Sequence, residues 1–322
     1  MPGPFFRRAR VLAVLTCLNL LSIPAYAAPP IRLEVGFPPG GTTDVMARLV
    51  ANALSAQINR DIIVENRAGA SGNIAAASVA KAAPDGNTLL FAPSSHAVNA
   101  SIYSDLPFDT LRDFKTVGMV ATTPYVLVVN PKLKSGSVGE LVAYLKQHPG
   151  EVAFASASAG TGQHLAGEVF KKAAQVDILH VPYKGSAAAL PDLVAGRTGL
   201  MFDNIAVMLP HIKSGKVNAL AVTTAQRSSL LPDSPTVAES GYPGFDIVGW
   251  FVLLAPAGTP ADVVDQLNQG LNTILVSKQL TDKLAKLGAE VKTSTPQEAD
   301  RFVQDEVHRW AKVVKEVGIK PN

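Results

Sequence analysis

The sequence predicts an α/β fold of two domains, each a mostly parallel sheet flanked by helices. Two observations indicate this fold class. Short apolar runs typical of buried strands alternate with stretches whose apolar residues recur at helical spacing, a pattern found in parallel sheets that helices cover on both faces. The same alternation starts again near residue 125 of the 322-residue chain, which indicates a second domain.

The first domain is predicted from a strand–helix–strand unit. Residues 31–36 and 61–65 are strand-like, and Met46, Val50 and Leu54 repeat at helical spacing between them. The elements that follow are a Gly-rich turn at 66–73, an Ala-rich helix at 74–82, a third strand at 88–92 and a further helix beyond it.

The second domain repeats the alternation with strands and helices of its own. The predicted strands are 125–129, 152–155, 178–181, 199–202 and 217–222, and the predicted helices are 138–147, 165–174 and one that follows Gly185. The Ser- and Pro-rich segment 227–245 has weak periodicity and is predicted to form loops.

The end of the chain is predicted to return to the first domain. A strand at 250–255 is followed by two or three helices. If these helices pack on the first domain, that domain comprises 28–124 and 251–322, and the second comprises 125–250. The chain then crosses near 123–126 and near 248–251, and two crossing strands form a hinge.

The N-terminal segment 1–27 resembles a cleavable secretory signal peptide. Three arginines precede an apolar run at 11–23, and the small residues Ala25 and Ala27 fit the cleavage pattern. The apolar run is shorter than the roughly 20 residues that span a bilayer. We therefore expect a periplasmic protein. Cys17 is the one cysteine of the sequence, so the mature chain is expected to form no disulfide.

The composition argues against several classes of function. Removal of the three N-terminal arginines leaves 26 Lys and Arg against 26 Asp and Glu, which does not indicate binding to nucleic acid. The six histidines are scattered and no cysteine remains, so neither a metal site nor another cofactor is expected. No heptad pattern is present, and we expect a monomer.

Two loops carry the strongest functional signal. FPPGGTTD at 37–44 and SASAGTGQH at 156–164 each follow a strand, are rich in glycine and hydroxyl side chains, and precede a helix. A helix start presents unpaired N–H groups and a partial positive charge, so it stabilises an anion without Lys or Arg. Two such starts in two domains predict a carboxylate ligand held between them.

The residues expected at this ligand site come from strand ends of both domains. They are Phe37, Gly41, Thr42, Thr43, Asp44, Ser94, Ser95, His96, Ser158, Thr161, Gly162, Gln163, His164, Tyr183 and Asp203. Some have a second interpretation. Asp44 would repel a carboxylate and equally fits a cap of the first helix, and Asp203 fits either a cap or a receptor for a ligand amine or hydroxyl. Residues 94–96 equally fit a simple helix start, and Phe37 and Tyr183 equally fit a core.

Enzyme signatures are absent from the sequence. No G-x-x-x-x-G-K-[ST], G-x-G-x-x-G, G-x-S-x-G or H-E-x-x-H motif occurs. An S-x-x-K match at 78–81 has no S-D-N or K-T-G partner and lies in an Ala-rich segment, so we attribute it to chance. Binding is therefore favoured over catalysis.

Five segments together resemble a known receptor family. FPPGGTTD at 37–44, ENRAGASG at 65–72, PDGNTLL at 84–90, HVPYKG at 180–185 and APAGTP at 255–260 are similar, in order and spacing, to the tripartite tricarboxylate transporter receptors, the Bug family of periplasmic solute-binding proteins. The resemblance implies a two-domain Venus flytrap that closes on a small carboxylate and presents it to a membrane permease. It also implies a pincer in which the helix starts at 41–44 and 158–164 hold one carboxylate, partly through bridging waters.

The expected function is capture of a small carboxylate for a tripartite tricarboxylate-type membrane permease. A di- or tricarboxylate, an amino acid and an aromatic acid all carry the group that the two loops recognise. Two alternatives use the same cleft. A ligand-dependent sensor would dock on a signalling partner, and a secreted hydrolase or isomerase would turn its ligand over.

Overall fold

The computed structural model describes residues 29–318, and the predicted signal peptide at 1–27 lies outside them. Within 29–318, ten strands alternate with ten α-helices. Among these residues, no helix combines the length and the apolar composition needed to cross a membrane.

The first lobe begins with a regular alternation of strands and helices. Its elements are β1 (Ile31–Val35), α1 (Thr42–Ile58), β2 (Ile62–Asn66), α2 (Asn73–Ala80), β3 (Thr88–Pro93) and α3 (Ser95–Ile102). Helix α1 forms where predicted, because Met46, Val50 and Leu54 lie on one face and are buried there. It ends at Asn59, whose left-handed backbone (φ 50°) turns the chain out of the helix.

One long strand, β4 (Phe114–Val129), joins the two lobes. Residues 114–124 pair with a later strand of the chain, β9 (Val248–Pro256), and residues 125–129 pair with strands of the second lobe. The sequence predicted only 125–129 as strand. Register shifts at Thr116 to Gly118 and at Met119 to Ala121 interrupt the apolar alternation in the first part, which is why that part was missed.

The second lobe continues the alternation after β4. Its elements are α4 (Val138–Gln147), β5 (Ala153–Ser156), α5 (Gly162–Ala174), β6 (Leu179–Pro182), α6 (Ser186–Ala195), β7 (Leu200–Asn204), α7 (Ile205–Lys213) and β8 (Asn218–Val222). Helix α5 begins three residues before the predicted position, because Thr161 caps it with its side-chain oxygen.

The chain returns to the first lobe through β9, which lies between β3 and β4. It continues with α8 (Ala261–Leu275), α9 (Lys278–Lys286), β10 (Glu290–Val291) and α10 (Pro296–Val317). Gly270 of α8 lies against Leu54 and Ile58 of α1, so α8 packs closely on that helix. The two-residue strand β10, which the sequence did not predict, pairs with Ala121 and Thr122 of β4.

A mixed sheet runs through both lobes in the order β2-β1-β3-β9-β4-β7-β5-β6. Strand β1 is parallel to β2 and β3, and β5 is parallel to β6 and β7, as expected for each domain. The two crossing strands, β4 and β9, are antiparallel to their neighbours. The sheet is therefore parallel within each lobe and antiparallel where the lobes are joined.

Helices cover both faces of the sheet. On one face a continuous apolar cluster, which includes Phe154 and Trp250, runs through both lobes. The other face has two separate clusters, one around Met46 in the first lobe and one around Met208 in the second. Apolar packing thus connects the lobes on one face only, and the cleft between them is lined by loops.

Candidate functional site

A cavity of about 100 Å³ lies between the lobes, and we call it the inner chamber. Because a water needs roughly 10–15 Å³ of such volume, a small organic molecule fits. The expected site residues that line it are Phe37, Gly41, Thr42, Thr43, Ser94, Ser95, Thr161, Gly162 and Gln163. Most of them follow the carboxyl ends of parallel strands, where open α/β sheets bind ligands.

An outer chamber of about 280 Å³ adjoins the inner chamber. The two chambers share five lining residues, and we call this shared border the neck: Phe37, Pro38, Ala157, Lys184 and Gly185. Ser158 and Tyr183 were expected at the ligand site and line only the outer chamber. Among the described residues that line either chamber, Lys184 is the only charged one, so no carboxylate there opposes an anion.

The first helix start presents backbone amides to the inner chamber. Gly41 is the N-cap of α1 and has an extended backbone, and no side chain caps the amides that follow it. Thr42 and Thr43 line the chamber beside these amides. The macrodipole of a 17-residue helix adds a partial positive charge at this end. The arrangement suits an anion.

Asp44 stabilises the first loop and does not line the chamber. Its carboxylate is 2% exposed, accepts the Gly40 N–H at 2.9 Å and the Asn66 side chain at 2.8 Å, and pairs with Arg48 at 3.0 Å. Burial alone would raise the Asp44 pKa, but these hydrogen bonds lower it overall. The prediction that Asp44 caps the helix amides is wrong in detail. Its carboxylate accepts the N–H of Gly40, which is the residue before the N-cap Gly41.

The second helix start faces the first across the chamber. The Thr161 hydroxyl accepts the His164 N–H at 3.4 Å and donates to the Ser158 carbonyl at 2.8 Å, so its proton is used within the loop. The amides of Gly162 and Gln163 begin α5 at the chamber wall. We conclude that this start offers backbone N–H groups rather than the Thr161 hydroxyl.

Tyr125 and Asn204 line the inner chamber, and the sequence did not single them out. A Cβ on Gly162 would collide with the Tyr125 ring, so the helix start and the ring are in close contact. Burial raises the Tyr125 pKa, which keeps the hydroxyl protonated. Asn204 accepts a hydrogen bond from Thr123 at 2.9 Å and donates to Thr42 across the cleft at 3.4 Å. The one feature of the sequence that could have identified Tyr125 as a site residue is its position in the predicted crossing segment 123–126.

Trp250 of β9 also lines the inner chamber. Its indole N–H donates to the Glu306 carboxylate of α10 at 2.7 Å, and the Trp310 indole donates to the same oxygen at 2.9 Å. Arg309 pairs with the other oxygen at 3.0 Å. A buried carboxylate of the C-terminal helix therefore holds the crossing strand in position.

His96 does not reach either chamber. It is 5% exposed and packs edge-on against Phe114, with ring centroids 4.9 Å apart, and parallel to Phe108. Burial lowers its pKa to about 4, so the imidazole is neutral at physiological pH. Ser94 and Ser95, which precede it, do line the inner chamber.

Asp203 lies behind the chamber wall. It is fully buried, and its Oδ1 accepts from the Gln163 side chain at 3.1 Å and from the Asn204 N–H at 2.7 Å. Burial raises the Asp203 pKa. Its direct contacts orient Gln163 and Asn204, two residues that line the chamber.

His164 supports the second loop from behind. Its Nδ1 accepts the Gly160 N–H at 3.1 Å, and its ring stacks on His180 at 3.9 Å. Burial and the neighbouring His180 lower the His164 pKa to about 3, and burial lowers the His180 pKa to about 4. The 3.8 Å contact of His164 with Glu168 is therefore not an ion pair at neutral pH.

This pair of histidines predicts loss of stability in acid. In the unfolded chain each imidazole titrates near pH 6.5, so below that pH the unfolded state binds protons that the folded state excludes. The free energy of unfolding is expected to fall from pH 6.5 towards 4, by about 2 kcal/mol at pH 5 for one fully buried imidazole. Urea denaturation across this range measures the change.

The variant His164→Asn isolates the contribution of His164 to the pH dependence of stability. It keeps a hydrogen-bond acceptor for the Gly160 N–H and leaves Glu168 in place. Burial raises the Glu168 pKa, so protonation of Glu168 in acid favours the folded state and opposes the effect of the histidines on stability. This contribution is the same in the variant and in the unsubstituted protein, and it cancels when the two are compared. His164→Asn should show a weaker pH dependence than the unsubstituted protein, and His308→Asn on the exposed face of α10 should not. Equal pH dependence in all three proteins would contradict the assignment.

Ser71 connects the two lobes at the edge of the outer chamber. Its hydroxyl contacts the Ser158 hydroxyl at 2.9 Å, the Ala159 carbonyl at 2.5 Å and the Tyr103 hydroxyl at 3.2 Å. The backbone of Ser71 is left-handed (φ 55°). The contacts with Ser158 and Ala159 are direct polar contacts between the first lobe and the second loop, whereas Tyr103 belongs to the first lobe itself.

Ser71→Ala is expected to weaken ligand binding roughly two- to tenfold, because interlobe hydrogen bonds worth about 0.5–1.5 kcal/mol form only when the lobes are together. Stopped-flow measurement of ligand dissociation should show the change as a faster off-rate. Ser214→Ala, on the exposed end of α7, is the control. An unchanged off-rate in Ser71→Ala would show that these contacts do not hold the closed form.

The described residues contain no group of three or more His, Cys, Asp or Glu side chains placed to hold a metal ion. The chamber walls instead combine backbone amides, hydroxyls, amides of Gln163 and Asn204, and the aromatic rings of Phe37, Tyr125 and Trp250. Such a mixture suits a small organic anion with an apolar body.

Comparison with known proteins identifies a receptor family. Residues 46–319 match the model of the tripartite tricarboxylate transporter family receptor. Protein BugT of Bordetella pertussis is 43% identical over 302 residues, which are 93% of this chain and 93% of that protein.

Solved structures resemble the whole described fold. The structure of R. palustris Rpa4515 with adipate superposes with a TM-score of 0.88 at 40% identity, covering 92% of this chain and 100% of that one. MatC from Rhodopseudomonas palustris with bound malate has a TM-score of 0.82 at 31% identity, covering 88% and 98%.

Proposed function

This chain belongs to the tripartite tricarboxylate transporter receptor family, the Bug family of periplasmic solute receptors, and from that premise we propose that it captures a small carboxylate between its lobes for delivery to a membrane permease. One observation carries the proposal. Two helix starts, at Gly41 and at Thr161, lie on opposite walls of a chamber that no carboxylate side chain lines among the described residues.

The helix starts supply the attraction for the anion. Each presents amides that have no partner within the helix, and each carries the positive end of a macrodipole. Glycine at 41 leaves the backbone open to the ligand, and glycine at 162 makes room for the Tyr125 ring. We propose that the carboxylate binds between these two starts, with Ser94, Tyr125 and Asn204 as further polar contacts.

The remaining predicted residues take supporting roles in this proposal. Asp44 and His164 hold the two loops in shape, and Asp203 orients the Gln163 side chain. Phe37 supplies an apolar wall at the neck. His96 contributes to the core of the first lobe.

Movement of the two lobes about β4 and β9 would open and close the chamber. We propose domain 1 as residues 28–124 with 251–322 and domain 2 as 125–250, with hinge segments near 123–126 and 248–251. The change of pairing partner in β4 at residue 125 supports this division. Ligand binding to the closed form would shift the population towards closure.

Related receptors support a dicarboxylate as the ligand. Rpa4515 was solved with adipate and MatC with malate, and both share the fold over most of this chain. We propose that this receptor acts as a monomer in the periplasm, without turnover of its ligand, after removal of the predicted signal peptide. Its macromolecular partner is the permease of a tripartite tricarboxylate-type transporter.

Thermal denaturation against pairs of acids and their neutral amides tests the proposal. A ligand in large excess over its dissociation constant should add roughly 3–4 kcal/mol of stability. We expect an acid to raise the melting temperature and its neutral amide to leave the melting temperature unchanged. The NMR spectrum of the acid recovered after incubation should show no conversion. Protein refolded from urea excludes co-purified ligand. Stabilisation by amides as well as acids, or conversion of the acid, would contradict the proposal.

A further inference from the structure

A cavity of about 770 Å³ lies at the two crossing strands, outside both ligand chambers, and we call it the rear cavity. It is lined by these strands, by residues of 224–230 and 281–292, and by α10. Four of its lining residues are directly opposed pairs in the crossing: Thr122 with Trp250, and Pro124 with Val248. Successive residues of a strand point to opposite faces, and the next residues along the two strands, Tyr125 and Phe251, line the inner chamber. The crossing strands therefore separate the rear cavity from the ligand site, and Trp250 borders both.

The facing walls of the rear cavity belong to different lobes. Segment 224–230 follows β8 of the second lobe, and segment 281–292 contains the end of α9 and β10 of the first. A Cβ on Gly288 would lie 3.1 Å from Leu230 Cδ1 and 3.7 Å from Ile205 Cβ, so the walls touch there. Ile205 begins α7, directly after β7, which pairs with β4 at the crossing. The walls therefore meet beside the crossing strands, and the cavity is the space left between them.

The lobes are in contact at the front of the crossing strands. The Ser71 hydroxyl contacts the Ser158 hydroxyl at 2.9 Å, and the Asn204 side chain donates to Thr42 at 3.4 Å, both across the cleft. This is a closed arrangement. A rotation about the crossing strands that separates the lobes at the front brings the rear walls together, because the two cavities lie on opposite sides of these strands. The rear cavity is therefore widest in the closed form and narrows as the receptor opens.

We propose that small side chains in the rear cavity set the ligand affinity without touching the ligand. Ala285 of α9 and Ser229 of the second lobe line the cavity from opposite lobes, and both are exposed. Their small size leaves the space into which the walls move when the receptor opens and releases its ligand. Bulk at either position blocks this movement and favours the closed form. The inference rests on the proposed function, because it requires a ligand that binds the closed form.

The variants Ala285→Trp and Ser229→Trp test the inference. The apparent dissociation constant is the intrinsic constant divided by the fraction of receptor in the binding-competent form, so a larger closed fraction tightens binding. Calorimetry with adipate and malate should show roughly three- to tenfold tighter binding by each Trp variant. Stopped-flow measurement should show slower dissociation, and X-ray scattering should give a smaller radius of gyration for each ligand-free variant. A folding defect cannot imitate a gain in affinity.

Two control variants should behave like the unsubstituted protein. Ala285→Ser stays small, and Lys283→Trp adds the same indole at an exposed position of α9 that does not line the rear cavity, about 200° around the helix from Ala285. Unchanged or weaker acid binding by both Trp variants of the cavity, or equal tightening by Lys283→Trp, would overturn the inference while leaving carboxylate capture intact. Failure of every acid to bind the unsubstituted protein would instead refute the proposed function, and an unchanged radius of gyration in the ligand-free variants would still contradict the role of the rear cavity.

Discussion

Gly162→Ala is expected to weaken carboxylate binding at least about tenfold, which corresponds to ~1.4 kcal/mol. A Cβ at this position would overlap the buried Tyr125 ring, whose Cε2 and Cζ atoms would both lie 2.9 Å away. The ring is 4% exposed and cannot turn aside freely. Either it moves into the inner chamber or the start of α5 moves back, and both changes disturb the amides that face the ligand.

Overpacking of this kind typically costs about 1–3 kcal/mol of stability, so the melting temperature should fall as well. Calorimetry and thermal denaturation measure the two effects separately. Gly139→Ala is the matched control, because Gly139 lies in the first turn of α4, is exposed and has room for a Cβ. If Gly162→Ala keeps both its affinity and its stability, the second helix start does not form the chamber wall.

Glu306→Ala is expected to cost about 3 kcal/mol of stability, the largest loss we predict for a single polar side chain. The carboxylate is 6% exposed and accepts the indole N–H groups of Trp250 and Trp310. Both indoles are buried, so removal of their shared acceptor leaves two buried donors unsatisfied, at about 1–3 kcal/mol each. Arg309 loses its ion-pair partner at the same time.

Urea denaturation provides the measurement, and Asp305→Ala provides the control. Asp305 is the adjacent acidic residue of α10 and is exposed, so its substitution should change the stability by less than about 0.5 kcal/mol. Glu306→Gln keeps one oxygen acceptor and should lose less free energy of unfolding than Glu306→Ala. Equal stability of the Ala and Gln variants would argue against hydrogen bonding as the source of the effect.

Much of the fold was predictable, for a physical reason. Buried parallel strands are short apolar runs bounded by Gly, Pro and polar residues, and each lobe follows this pattern closely. The first half of β4 was not predictable in this way, because two register shifts interrupt its alternation. A strand as short as β10 has too few residues to show a period.

The candidate site was predictable in its backbone and less so in its side chains. Gly-rich loops before helices are visible in any sequence, and both loops line the inner chamber. Successive residues of a helix point about 100° apart, so Gln163 lines the chamber while its neighbour His164 faces inward to His180. Sequence spacing could not distinguish them. The contributions of Tyr125 and Trp250 depend on how the crossing strands pair.

The shared carboxylate of Glu306 has an optical consequence. The chain contains two tryptophans, Trp250 and Trp310, and both indoles are tied to this one group. Only Trp250 lines the inner chamber, whereas Trp310 lies in the apolar cluster that runs through both lobes. Because both indoles donate to the same oxygen, a change around Trp250 on ligand binding also reaches Trp310, so the intrinsic fluorescence of the unlabelled protein should follow occupancy of the chamber without an attached dye.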